Sequence, residues 1–194
     1  MSALRIIKIV RPYLESRDRK GTYIDIGANV GLTTLPMIDY FNQINCFEPN
    51  PVALEQMKNN IDTNLVNVYP VALSNFIGTA DLIVPNNNTE HGSIVDERYK
   101  NWERNKRIKT QTYNVNVKTL DSYNFTNVDF IKIDTEQSEN EVIEGAMQTI
   151  KRDFPVIFME NKRSEAKKAV QELSDLGYKH RTYKADMMFT KEIK

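Results

Sequence analysis

Thr22-Tyr23-Ile24-Asp25-Ile26-Gly27-Ala28-Asn29-Val30-Gly31-Leu32-Thr33-Thr34 is the stretch that decides the fold. It reads as a short buried strand, Thr22 to Ile26, running into a glycine turn and then a helix. Gly27 and Gly31 permit the turn angles and let backbone approach a ligand closely. A helix after Gly31 would aim its free N–H groups at whatever sits in the turn. Asp25, at the strand's carboxyl end, narrows the choice of ligand. A carboxylate there repels a pyrophosphate and suits a cationic partner such as an amino group or a sulfonium.

On the N-terminal side, residues 1–20 form a leading segment. Leu4, Ile6, Ile7, Ile9, Val10, Tyr13 and Leu14 make an amphipathic helix up to Ser16, with Pro12 as a possible kink. On the C-terminal side the pattern alternates. A helix over Leu32 to Phe41 is followed by a strand over Asn45 to Glu48, a helix over Val52 to Asn64 and a third strand over Val66 to Leu73. That alternation predicts a doubly wound, mostly parallel sheet of the Rossmann-like α/β class. Thr79 to Val84 and Thr110 to Lys118 read as strands that pair with each other. Val128 to Asp134 is a central strand, Glu139 to Ile150 a helix, Pro155 to Glu160 a further buried strand, and Ser164 to Leu176 a helix closed by Gly177. Tyr178 to Tyr183 and Met187 to Thr190 form a C-terminal antiparallel hairpin. The expected total is about seven strands in one domain spanning 1–194.

The 194 residues carry 26 Lys+Arg against 26 Asp+Glu, so net charge offers no argument for a nucleic-acid or membrane partner. The one cysteine, Cys46, excludes an internal disulfide and a cysteine-rich zinc site, and it lies in an apolar strand. No secretory leader and no membrane span is expected, which suggests a soluble cytoplasmic domain. Residues 85–110 form a polar and then charge-rich stretch, expected to be a loop or lid over the acceptor site.

Three acids recur at strand ends: Asp25, Glu48 and Asp134. In an open α/β sheet, ligands bind outside the carboxyl ends of the strands, so the three converge on one crevice. Glu48 follows Asp25 by 23 residues, about where a ribose-binding acid belongs. Each piece alone is weak evidence. Together with the glycine turn they point to S-adenosylmethionine as cofactor rather than NAD.

The same residues resemble the first motif of class I S-adenosylmethionine-dependent methyltransferases, and more narrowly the FkbM-type methyltransferases. The likeness continues through Phe47-Glu48-Pro49-Asn50-Pro51, Ala72-Leu73-Ser74-Asn75 with Gly78, Val117-Lys118-Thr119-Leu120-Asp121, and Val128 to Glu136. It ends in Glu144-Gly145-Ala146 and Pro155 to Glu160, covering roughly Gly21 to Asn161. The family usually has glycine after the glutamate of the fourth motif, where this chain has Gln137-Ser138. The resemblance implies methyl transfer to a hydroxyl of a small-molecule or saccharide acceptor. It also implies that Asp25, Gly27, Ala28, Asn29 and Gly31 line the methionine end of the cofactor. Glu48 would hold the ribose, with Pro49 and Asn50 beside the adenosine. Ala72 and Leu73 would flank the adenine, and Asp134 would face the transfer site.

An alcohol acceptor must lose its proton at or after attack. Asp134 and Glu136 are the candidate bases by position, and His91 is a third in the polar loop. Asp134, Glu136 and Glu160 offer hard oxygen ligands that would suit magnesium or calcium, but spacing alone assigns no metal. Two other readings stand beside this one: an NAD(P)-dependent oxidoreductase, and a non-catalytic cofactor-binding module.

Overall fold

The computed structural model describes residues 3–17, 20–85, 92, 94, 109–160 and 166–191. Its centre is a seven-stranded sheet of order β3-β2-β1-β7-β8-β10-β9. The strands are β1 (Thr22–Ile26), β2 (Gln43–Phe47), β3 (Asn67–Tyr69), β7 (Val128–Ile133), β8 (Val156–Glu160), β9 (Lys179–Tyr183) and β10 (Asp186–Thr190). Strands β3, β2, β1, β7 and β8 are parallel. β10 runs antiparallel to both β8 and β9, which is the expected C-terminal hairpin.

All five residues of β1 and all six of β7 are buried, as strands covered on both faces must be. One face carries Ile24, Ile26, Ile131, Ile133 and Phe189. Against it pack the helices α3 (Glu139–Glu144), α4 (Met147–Asp153) and α5 (Lys167–Asp175), through Val142, Ile150 and Leu173. The other face carries Tyr23, Cys46, Phe130 and Phe158 and is covered by α1 (Ala3–Glu15) and α2 (Pro51–Asn60), through Ile6, Val10 and Met57. Pro12 does not end α1, which continues to Glu15. An ion pair from Arg5 to Asp186, at 2.9 Å, ties α1 to the C-terminal hairpin.

Several boundaries differ from the sequence reading, each for a local reason. The expected strand Val66 to Leu73 is two strands in two sheets. Pro70 has no N–H to extend the ladder, and Val71 donates back to the Tyr69 carbonyl at 2.9 Å. The chain turns there, and β4 (Ala72–Leu73) joins β6 (Thr110–Lys118) and β5 (Gly78–Pro85) in a separate sheet of order β4-β6-β5. β5 and β6 pair antiparallel over their whole length, as expected. The helix expected from Leu32 to Phe41 is only a 3-10 turn, Leu35–Tyr40. Thr33 and Thr34 are drawn beneath the glycine turn instead, where both hydroxyls donate to Asp25. The helix expected from Glu139 to Ile150 breaks at Gly145. There the Asp121 carboxylate accepts from Gln148 N at 2.9 Å and Thr149 N at 2.8 Å and starts α4 afresh. α2 stops at Asn60, short of Asn64.

Most of the expected lid, residues 86–91, 93 and 95–108, lies outside the described residues, as does His91. Among the described residues no helix is long and apolar enough to cross a membrane.

Candidate active site

A cleft opens along the carboxyl ends of the parallel strands. Its walls come from the turn after β1, the segment after β2, β4, and the segment after β7, with Leu82, Gly92 and Ile94 on the side of the smaller sheet. Gly27, Ala28, Asn29, Glu48, Pro49, Asn50, Ala72, Leu73, Asp134 and Glu136 all line it, so the structure gathers most of the sequence-predicted residues in one place.

Asp25 is a correction. Its side chain is wholly buried and is not at the cleft wall. The cation it meets is the protein's own Lys132, its register partner on β7, whose Nζ lies 2.9 Å from Oδ1. Its other oxygen accepts from Thr34 Oγ1 at 2.7 Å. The argument that Asp25 selects a positively charged ligand by direct contact therefore fails. Gly31 also stands back from the wall. Its φ is +81°, and a Cβ there would lie 2.3 Å from the Ile61 side chain, so it serves close packing against α2. Gly27 is at the wall with φ +72°, and a Cβ there would lie 2.1 Å from the Asp134 carbonyl oxygen.

Glu48 sits at the end of β2 with 6% exposure. Its Oε1 accepts from Asn50 N and its Oε2 from Asn29 N, each at 2.8 Å. Two backbone donors from opposite sides thus fix the carboxylate, while each oxygen keeps a second lone pair for a ligand. Burial pushes Glu48 up to about 7, against the pull of those two N–H bonds and of Lys132. Asn50 caps α2 with its Oδ1, which accepts from Val52 N at 3.0 Å. Asn50 Nδ2 and Asn29 Oδ1 are buried with no hydrogen-bond partner among the described residues. Such groups are costly unless something else completes them. A carboxylate anchored by two backbone N–H groups and lining the cleft, with an unsatisfied donor and acceptor buried beside it, suits a polar ligand bearing vicinal hydroxyls.

Asp134 and Glu136 at the cleft wall and Glu160 at the end of β8 bring a carboxylate oxygen each to within 4.8 Å of one another. The turn that carries Asp134 and Glu136 is unusual. Glu136 and Gln137 both adopt left-handed backbone angles, φ 55° and 85°. Gln137 occupies the position where glycine is the usual residue, and the backbone angle explains that preference. Glu139 holds the turn. Its Oε1 accepts from Thr135 N at 3.2 Å, Thr135 Oγ1 at 3.1 Å and Gln137 N at 3.3 Å. Burial raises Glu139 to about 7 as well.

Sequence reasoning missed Lys132, Thr135 and Ser138, which also line the cleft. The signal for Lys132 was available: a lysine inside the apolar run Val128-Asp129-Phe130-Ile131-Lys132-Ile133 is anomalous for a doubly covered strand. His180, in the edge strand β9, packs against Phe189 with tilted rings, centroids 5.3 Å apart, and does not line the cleft.

A parallel sheet of this order, closed by an antiparallel β8-β10-β9 edge and opening a cleft at its carboxyl ends, defines a class I methyltransferase fold. The Methyltransferase FkbM domain family matches residues 25–180, and the chain belongs to that family, whose methyl donor is S-adenosylmethionine. Solved structures that share the fold include the following three. An FkbM methyltransferase from Methylobacillus flagellatus superposes with a TM-score of 0.60 at 17% identity, covering 88% of this chain and 43% of its own. A precorrin-6y C5,15-methyltransferase from Geobacter metallireducens gives 0.56 at 13% identity, covering 95% and 85%. The N-terminal domain of human METTL16, solved in complex with SAH, gives 0.51 at 13% identity, covering 98% and 70%. The chain thus spans less than half the length of the FkbM structure it resembles. No curated protein matches the sequence at a significant level. Family membership sets aside the oxidoreductase reading.

Proposed function

We propose that this domain transfers a methyl group from S-adenosylmethionine to a hydroxyl of a small-molecule or saccharide acceptor. The observation that carries the cofactor half is Glu48, pinned at the end of β2 by Asn29 N and Asn50 N and facing the cleft. Beside it, Asn50 Nδ2 and Asn29 Oδ1 are left unsatisfied. Glu48 would accept from the ribose hydroxyls, Pro49 and Asn50 would lie beside the adenosine, and Ala72 and Leu73 would flank the adenine. Gly27, Ala28 and Asn29 would border the methionine end. Asp25 supports that end from beneath rather than touching it.

When bound, S-adenosylmethionine supplies a methyl carbon already activated by sulfonium, so the protein's task is alignment and the exclusion of water. Leu32, Leu82 and Ile94 offer apolar walls for that purpose. An acceptor hydroxyl aligned with that methyl carbon would give up its proton to a carboxylate of this chain. Asp134 and Glu136, at the cleft wall beyond β7, are the groups placed to take it.

Calorimetry with S-adenosylhomocysteine and with NAD tests the cofactor half. Transfer of an isotopically labelled methyl to a panel of sugars and small alcohols tests the acceptor half. Binding of the homocysteine product with no transfer to any acceptor would favour a non-catalytic module. The strained Glu136–Gln137 turn beside the proposed base is the feature that would explain such an outcome.

A further inference from the structure

Lys132 and Asp25 form a buried ion pair between adjacent strands, 1% and 0% exposed, directly under the glycine turn. Each also grips one side of that turn. Lys132 Nζ donates to the Gly27 carbonyl at 2.7 Å, at the turn's entry. Asp25 Oδ2 accepts from Thr34 Oγ1 at 2.7 Å and from Thr33 Oγ1 at 3.4 Å, at its exit. Burial opposes the charge on Lys132. The Asp25 carboxylate, with Asp134 and Glu48 nearby, outweighs that and raises its affinity for the proton.

A buried ion pair is weak evidence of stabilisation, because desolvation offsets most of the attraction between the charges. It does supply fixed hydrogen-bond geometry in a place where the alternative is a flexible turn. The turn needs it. Gly27, Asn29 and Gly31 all have positive φ, at 72°, 51° and 81°, and the sequence forms no helix across residues 28–34 to hold them. The same turn carries Asn29 N, one of the two donors on Glu48.

We propose that Lys132 and Asp25 are positioning residues: together they clamp the Gly27–Thr34 turn in its ligand-binding shape, so that cofactor affinity depends on Asp25, which stands back from the cleft wall, and on Lys132, whose ammonium at the cleft floor is held by Asp25 and the Gly27 carbonyl. The inference rests on the reading of this cleft as the S-adenosylmethionine site.

The test is the double variant Asp25→Leu/Lys132→Met, which removes both charges and keeps much of the apolar volume. Replacements of this kind often leave stability unchanged. Three quantities are measured on the full chain: the Kd for S-adenosylhomocysteine by calorimetry, the melting temperature, and amide hydrogen exchange over residues 27–35. The expected result is cooperative melting, a Kd raised at least ten-fold, and faster exchange in the turn. A control variant, Phe189→Leu, in the core of the distant β10, lowers the melting temperature but leaves Kd within two-fold. A double variant that binds as tightly as the parent overturns the proposal. So does a Phe189→Leu variant that loses affinity to the same degree, because the effect would then be general destabilisation. If the double variant does not fold, Thr34→Val decides instead: a Kd raised three-fold or more with faster turn exchange supports the clamp, and an unchanged Kd overturns it. A parent protein that binds no S-adenosylhomocysteine at all refutes the cofactor assignment, which is a separate failure.

Discussion

If Glu48 holds the ribose as proposed, its ionisation should have opposite effects on stability and on cofactor binding, and the two can be read in one experiment. Its folded-state pKa is about 7 against an ordinary value of 4.5. As pH rises, the unfolded chain releases this proton first, so the native state loses stability between pH 4.5 and 7. At roughly 1.4 kcal/mol per pKa unit, the loss is about 3 kcal/mol. Glu139, raised to about 7 by the same cause, adds a loss of the same sign. The ionised carboxylate is the better acceptor for two ribose hydroxyls. It would be about nine-tenths populated at pH 8 and about one-tenth at pH 6. The Kd for S-adenosylhomocysteine should therefore weaken about ten-fold from pH 8 to pH 6, while the melting temperature of the ligand-free protein falls from pH 5 to pH 8. In Glu48→Gln one of the two anchoring backbone N–H groups, Asn29 or Asn50, faces an amide NH2 instead of an oxygen. That should cost about 1–3 kcal/mol of cofactor affinity and flatten the binding profile. Calorimetry at pH 6, 7 and 8 on both proteins, with scanning fluorimetry over the same range, checks this. A Kd constant across the range, or a slope that survives in Glu48→Gln, would refute the role of Glu48.

Three further outcomes follow from the geometry. Gly27→Ala places a Cβ 2.1 Å from the Asp134 carbonyl at a positive φ, and should abolish measurable cofactor binding and cost several kcal/mol of stability, roughly 3 or more; chemical denaturation and calorimetry read both. Gln137→Gly relieves a left-handed conformation, φ 85°, and should raise stability by about 1 kcal/mol in urea unfolding; a loss of stability would show that Gln137 makes a contact worth more than the strain. Burial pushes the Cys46 thiol up to about 12, so the folded protein at pH 8 should resist thiol reagents and react only as fast as it unfolds; rapid labelling without denaturant would contradict the burial of β2.

The fold and most of the cleft were legible from local pattern. Predominantly apolar runs mark β1, β7 and β8 because a sheet covered on both faces buries nearly every side chain, and the acids at their ends fall on the binding edge of any such sheet. The strand Val66 to Leu73 was misread because alternation does not register a proline that ends one ladder and sends the chain into another sheet. Gly145 was read through as helix because nothing local announces that Asp121, from a distant turn, starts a new helix beyond it.

Glu48, Asn50 and Asp134 could be placed at the cleft from the sequence, since strand order and the carboxyl-end rule suffice for that. Asp25 could not. Whether its charge faces a ligand or a partner depends on which residue of which other strand lies beside it. Only the pairing of β1 with β7 puts Lys132 there. Sequence spacing sets which end of a strand a side chain occupies; register between strands far apart in the chain sets what it touches, because buried electrostatics are decided over a few ångströms of tertiary contact.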